Sequence, residues 1–210
     1  MSKILPVIHV EDEEQAARNL EVALEAGADG VFLINHSINA SDLAVIFQRI
    51  RQRFPEEWIG VNYLGLGTYT APLLAGGASG LWFDFAPEKE LEVPFPIFGG
   101  VAFKYQHSRL SLEAEVDLAI PVVDVLVTSG PATGEPPALE KVQRLHALAQ
   151  GQPIGIASGL DAQNVAPFVP LVDYLLVATG ISQSFTELDP EKVQEFVQVV
   201  RGCSDGPRPA

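Results

Sequence analysis

A single cysteine, Cys203, is all that the 210-residue chain possesses. One thiol excludes an internal disulfide framework and a cysteine-based metal site, and its place near the C-terminus reads as incidental. Basic residues are scarce too: 13 Lys and Arg face 27 Asp and Glu, a formal net charge of −14. That balance argues against nucleic acid or an anionic membrane surface as partner, although local backbone dipoles can still hold a small anion on an acidic protein. No apolar run reaches the roughly 20 residues that a membrane span needs. The first ten residues lack a signal-peptide pattern, so a cytoplasmic location is the default expectation.

Hydrophobic residues make up 47% and charged residues 19%, ordinary values for a globular α/β chain. One domain is expected over residues 4–201, with 202–210 as a Pro/Gly-rich, disordered tail. One theme recurs: a short β-rich run, a polar or glycine turn, then an amphipathic segment. Strands are expected over residues 4–10, 30–36, 58–64, 80–85, 96–103, 123–129, 153–159 and 174–180. Helices are expected over 11–26, where Ala16, Leu20, Ala23 and Leu24 recur at helical spacing, and from a cap at Ser41 or Asp42 to Phe54. A weaker helix is expected at 70–75, and fuller ones at 111–119, 138–149 and, capped by Asp189, 190–201. Another helical pattern follows the seventh strand, with Asn164 just inside it. The charged stretch 86–95 carries two prolines and is too broken for a full helix.

Eight strand patterns alternating with helices point to a compact (β/α)8 barrel whose fourth helix is reduced or missing, shorter than the ~250 residues typical of that fold. A doubly wound sheet fits less well. The run Gly65-Leu66-Gly67-Thr68-Tyr69-Thr70 opens like a dinucleotide fingerprint but has Thr70 where the third glycine belongs, and no cofactor is implied.

In such a barrel function gathers at the C-terminal ends of the strands. That rim offers His9, Asn35, His36, Asn62, Asp84, Lys104, His107, Thr128 and Ser129, then Ser158 and Gly159, then Thr179 and Gly180. Lys104 either pairs with a substrate anion, forms a Schiff base, or snorkels to solvent. Asp84 is a general base or a rim ion-pair partner of Lys104. No two of His9, His36 and His107 share the spacing of a helical zinc motif, and no metal site is assigned. The loop Thr128-Ser129-Gly130-Pro131-Ala132-Thr133-Gly134-Glu135-Pro136-Pro137 exceeds the ~2–6 residues usual after a strand, so Thr133 joins the ligand-binding set. Ser158-Gly159, Thr179-Gly180 and Asn164 mark the two turns where a barrel of this kind commonly holds a phosphate, although glycine also solves turn geometry alone.

Val127-Thr128-Ser129-Gly130 with Thr133-Gly134-Glu135-Pro136-Pro137, Ser158-Gly159 with Asn164, and the strand Gly60-Val61-Asn62 resemble the BtpA/SgcQ family of barrel proteins. The resemblance implies a (β/α)8 barrel and members named for photosystem I biogenesis or thought to be enzymes. Here Ile34 stands where the family has a glutamate, Gly65-Leu66-Gly67 where it has Arg-Asn-Asp, and Gly100-Val101 where it has Asp-Val.

The leading expectation is a barrel that binds a small phosphorylated or carboxylated metabolite, with isomerase or lyase chemistry carried by Asp84 and Lys104. The other expectation is a non-catalytic barrel acting as an assembly or regulatory partner. A homo-oligomer is compatible with either.

Overall fold

The computed structural model describes residues 1–106 and 110–203. Strands β1 (Lys3–His9), β2 (Val31–Ile34), β3 (Ile59–Asn62), β4 (Gly80–Phe83), β5 (Ile97–Gly100), β6 (Val125–Thr128), β7 (Ile154–Ala157) and β8 (Tyr174–Val177) pair in parallel, in sequence order, and close through β8 on β1. Nearly every strand residue is buried, as strands covered on both faces require. Pro6, which has no N–H, stands where β1 passes its pairing from β8, as far as Pro6↔Val177, to β2 from Val7↔Phe32.

Among the described residues the helices are α1 (Glu13–Glu25), α2 (Ala40–Arg53), α3 (Ala71–Leu74), α4 (Leu112–Ala119), α5 (Leu139–Leu148) and α6 (Pro190–Cys203). Asp12 caps α1 by accepting the Gln15 N–H at 2.8 Å. α2 starts earlier than the Ser41 or Asp42 cap expected, because Asn39 accepts the Asp42 N–H at 2.9 Å. Asp189 caps α6 as expected, accepting from Glu191 at 3.0 Å. That helix takes in Gly202 and Cys203, which the sequence placed in the tail; residues 204–210 lie outside the described residues.

No helix stands between β4 and β5, as the prolines of that stretch predict. The helix expected after β7 is absent as well, replaced by turns and a 3-10 segment, Val169–Leu171. Pro167 and Pro170 interrupt it. No helix among the described residues is long and apolar enough to cross a membrane.

Two apolar layers result. The outer one packs α-helices on the sheet. The inner one fills the barrel with Leu5, Val7, Phe32, Ile34, Trp82, Phe98, Val125, Val127, Ala157 and Leu176. Phe32 meets Trp58, Trp82 and Phe98 edge to face at 5.1–5.6 Å, and fits because Gly60 leaves the facing position empty. The interior is a packed core beneath a cavity at its C-terminal mouth.

The N-terminal end repeats one device four times. Asp29 accepts the Ile4 N–H at 2.7 Å, Ser79 that of Ile59 at 3.1 Å, Asp124 that of Ile97 at 2.7 Å and Asp173 that of Ile154 at 3.1 Å. Each acceptor returns its own N–H to the carbonyl of the same isoleucine, at 2.8–2.9 Å. Every odd strand is thus locked at its first residues to the residue that opens the next even strand.

Candidate functional site

Side chains alternate along a strand, so the parity of the inner core decides which rim residues face the mouth. Inward positions run Leu5, Val7, His9 on β1, Phe32, Ile34, His36 past β2, and Trp82, Asp84 past β4. His9, His36, Asp84, Lys104, Thr133, Ser158, Gly159 and Thr179 all line one cavity of about 190 Å³, walled by Val7, Ile34, Phe103 and Leu176 and shared with Tyr105 and Phe185. Trp82 also lines it, with its indole N–H buried and unpartnered among the described residues.

Asp84 and Lys104 meet there because β4 and β5 approach closely at the rim. A Cβ on Gly100 would stand 2.0 Å from the Asp84 carbonyl oxygen. β5 stops at Gly100, short of the strand expected to residue 103, and the chain turns through Ala102 at φ 44° and Tyr105 at φ 62°. The turn carries Lys104 over the mouth, its ammonium 5.8 Å from the Phe103 ring centre. Asp84 accepts from the buried Asn62 amide at 3.1 Å. Burial pushes the Asp84 carboxyl above its ordinary range, partly offset by the Asn62 hydrogen bond and by Lys104 and His36. Burial likewise lowers Lys104, and Asp84 opposes that. The two charges influence each other across the cavity without an ion-pair contact among the described salt bridges.

His9 is buried. Its Nδ1 lies 2.8 Å from the Phe185 carbonyl, which can only accept, so Nδ1 carries the proton. Burial lowers its pKa to about 4, against the Phe185 hydrogen bond and with His36 and Lys104 adding to the fall. Burial also lowers His36, against the pull of Asp84. The His9 ring lies 4.8 Å from that of His36 and 4.2 Å from that of Phe185. His107 lies outside the described residues; among those described, no group of three or more His, Cys, Asp or Glu could hold a metal ion.

The remaining sequence candidates, together with the loop contacts of Ser158 and Gly159, shape the cavity. Asn35 points off the inward parity, accepts the Leu64 N–H at 2.8 Å and ties the end of β2 to that of β3. Thr128 is fully buried on the outward parity of β6, its hydroxyl unpartnered among the described residues. Ser129 is also fully buried, accepting the Lys104 N–H at 2.7 Å and so fixing the lysine's backbone. The Ser158 hydroxyl braces the long loop through Ala132 O at 2.9 Å and Glu135 O at 3.0 Å. Gly159, at φ +64°, lies so near this loop that a Cβ would stand 2.1 Å from the Glu135 carbonyl carbon. Asn164 holds that turn from below, donating to Gly159 O at 2.9 Å and accepting from Asp161 N at 3.0 Å. Gly180 packs against the Leu160 carbonyl.

Several contributors escaped the sequence reading. Lys141 on α5 donates to Ala102 O at 2.6 Å and Ser129 O at 2.7 Å, joining the two loops beside Lys104. Tyr105 accepts the Thr133 N–H at 3.1 Å across the mouth. Gln15 and Asn19, buried on α1, hold the loop after β8 through Thr186 O and Leu188 N and thereby seat Phe185 over His9. A signal for this pair existed: two amides at i, i+4 within an apolar stripe. A larger cleft, about 730 Å³, opens at the opposite end beside Ile97 and Asp124; its ionisable groups are Glu90 and Asp124, both acidic.

No family model matches the chain. Over 82 residues, 38% of the chain, it is 30% identical to the photosystem I biogenesis protein BtpA of Synechocystis sp. (strain ATCC 27184 / PCC 6803 / Kazusa), and the match spans 29% of that protein's length. The resemblance read from the motifs therefore has a curated relative behind it. Among solved structures, the chain superposes on a structure described as native KDPGal with a TM-score of 0.75 at 13% identity, covering 97% of this chain and 96% of that one. It superposes on phosphoribosyl anthranilate isomerase from Thermus thermophilus at 0.71 and 14%, covering 95% and 98%. Thiamine phosphate pyrophosphorylase from Pyrococcus furiosus follows at 0.69 and 14%, covering 96% of each. At such identities the likeness establishes the barrel fold.

Proposed function

We propose that the barrel mouth binds a small phosphorylated or carboxylated metabolite and rearranges or cleaves it by isomerase or lyase chemistry. The observation that carries this reading is the convergence of Asp84 and Lys104 on one half-enclosed cavity. Lys104 neutralises the ligand's anion or charge developing on it, and Asp84, steadied by Asn62, moves a proton. Ser158, Gly159 and Thr179 form the opposite wall, Gly180 follows just outside it, and no protein acceptor takes the Gly159 or Gly180 N–H among the described residues. Names of the barrels it superposes on include a phosphoribosyl isomerase and a thiamine phosphate enzyme, which supports an anionic substrate. The cavity is smaller than the ~300–1,000 Å³ of usual ligand sites, so the ligand is compact.

Crystals grown in phosphate or sulfate should show an ion within hydrogen-bond reach of Lys104 and the Gly159 and Gly180 amides; an empty mouth at high anion concentration defeats the binding reading. Turnover on a panel of sugar phosphates and small carboxylates should fall about 100-fold in Lys104→Ala with the fold intact. The match to a photosystem biogenesis protein supports a second reading, a non-catalytic partner in assembly. A flat panel, together with specific capture of one protein, would favour it.

A further inference from the structure

The cavity that holds Asp84 and Lys104 does not end at Phe185. A second space of about 350 Å³ continues beyond it, lined by Ser182, Gln183 and Ser184 and sharing His9, Thr179 and Phe185 with the first. The two spaces differ in chemistry. The inner one has a cation and a carboxylate. The outer one has hydroxyls and an amide, with no ionised side chain in its lining.

His9 stands at the junction. Its Nδ1–H is committed to the Phe185 carbonyl, which leaves Nε2 as the ring's free lone pair while the imidazole is neutral. Nε2 has no protein partner among the described residues and is not among the sealed, unsatisfied polar atoms. Burial, which holds the ring neutral through the physiological range, agrees with an acceptor role. A lone acceptor beside a lining of neutral hydroxyls suits a ligand that brings its own O–H donors. A second charged group would find no counter-charge there.

We infer that the ligand is a polyhydroxylated organic anion, whose charged group lies toward Lys104, whose nearest hydroxyl donates to His9 Nε2, and whose remaining hydroxyls extend past Phe185 into the outer space. This rests on the anion-binding reading above and narrows its substrate class.

The test uses two matched pairs: glycerol 3-phosphate against propyl phosphate, and glycerate against propionate, titrated calorimetrically into the whole chain. The hydroxylated member of at least one pair should bind about fivefold tighter or better, the worth of one or two net hydrogen bonds. His9→Phe, which keeps a ring for Phe185 to stack on, should shrink that ratio toward one. In case that variant folds poorly, 15N NMR of the wild type gives a second measurement: the His9 Nε2 resonance should move with the hydroxylated ligand and stay put with its deoxy partner. Equal affinities within both pairs, or a ratio untouched in folded His9→Phe, overturn the inference while leaving anion binding standing. No binding by any of the four compounds removes both.

Discussion

The two ends of this barrel are built on opposite plans. At the N-terminal end one arrangement recurs four times, with Ile4, Ile59, Ile97 and Ile154 each held by a polar residue of the next turn. At the C-terminal end the strands carry unlike groups: two histidines, an aspartate, a lysine-bearing turn and the turns at Ser158-Gly159 and Thr179 all reach one small cavity. Repetition satisfies backbone groups and serves stability. Diversity places unlike groups together in a desolvated space, which lowers the pKa of His9 and Lys104 and raises that of Asp84. Changes at one end should therefore move stability, and changes at the other should move binding or expose a stability cost.

The largest effect expected is such a cost. His9 has its folded pKa lowered to about 4 from 6.5, so the native state keeps it neutral while the unfolded chain takes up a proton. Its contribution to stability is complete above pH 6.5 and is lost as pH falls from there toward 4. The loss approaches about 3 kcal/mol. Urea unfolding at pH 7 and pH 4 should show it, and the His9→Phe variant should lack that share of the acid sensitivity. An identical pH slope in both proteins would mean that His9 is not buried as a neutral ring.

Next comes the closed end. Asp29 accepts the Ile4 N–H at 2.7 Å and pairs with Arg201 at 2.7 Å. Asp29→Ala should cost about 2 kcal/mol, mostly the charge-assisted hydrogen bond, since a half-exposed ion pair adds little. Asp29→Asn keeps an acceptor and should lose less. Neither should alter the affinity for inorganic phosphate, and a change there would break the division between the ends.

Asp84 offers a smaller effect of the opposite sign. Its folded pKa is raised by burial, so the charged form is disfavoured in the native state. Native stability from this group is present below its unfolded pKa and is lost as pH rises through the folded value. Asp84→Asn, still able to accept from Asn62, should therefore raise the thermal midpoint at pH 7, and the two midpoints should converge near pH 3. The same change should abolish any turnover. A variant that is no more stable at pH 7 would show that Lys104 and Asn62 outweigh burial.

Much of this was legible in the sequence. The eight β-rich runs, the proline-broken fourth connection and the unusual length of the loop from Thr128 to Pro137 gave the barrel and its mouth. Facing was harder to read. Expected strands ran several residues past the ladders, as at β5, so both parities of the rim entered the set of candidates. The inner core makes Asp84 and His36 face inward and turns Thr128 and Asn35 away. Parity along Gly80, Trp82 and Asp84 could have been read from the run itself. Phe185 could not, because its position depends on Gln15 and Asn19, about 170 residues away in sequence. The helix expected after β7 failed against Pro167 and Pro170, whose local cost exceeds the apolar periodicity around them.

Thr128 and Ser129 put the parity argument to its finest test. They are neighbours, both fully buried and both hydroxylated, yet Thr128 ends β6 on its outward parity with its hydroxyl unpartnered among the described residues, whereas Ser129 lies just past the strand and bonds the Lys104 turn. The Thr128 hydroxyl has no partner among the described residues, so Thr128→Val removes an uncompensated polar group while keeping the side chain's shape. Its stability should stay level or rise by up to about 1 kcal/mol, and phosphate affinity should not change. Ser129→Ala breaks the hydrogen bond from the Lys104 N–H and loosens the turn that aims the lysine, so affinity should fall a few-fold even though Ser129 does not line the cavity. Chemical denaturation and calorimetry on the two variants give both numbers. A destabilised Thr128→Val would mean that its hydroxyl does find an acceptor. A Ser129→Ala protein with unaltered affinity would mean that Lys104 is aimed by Lys141 and Phe103 instead.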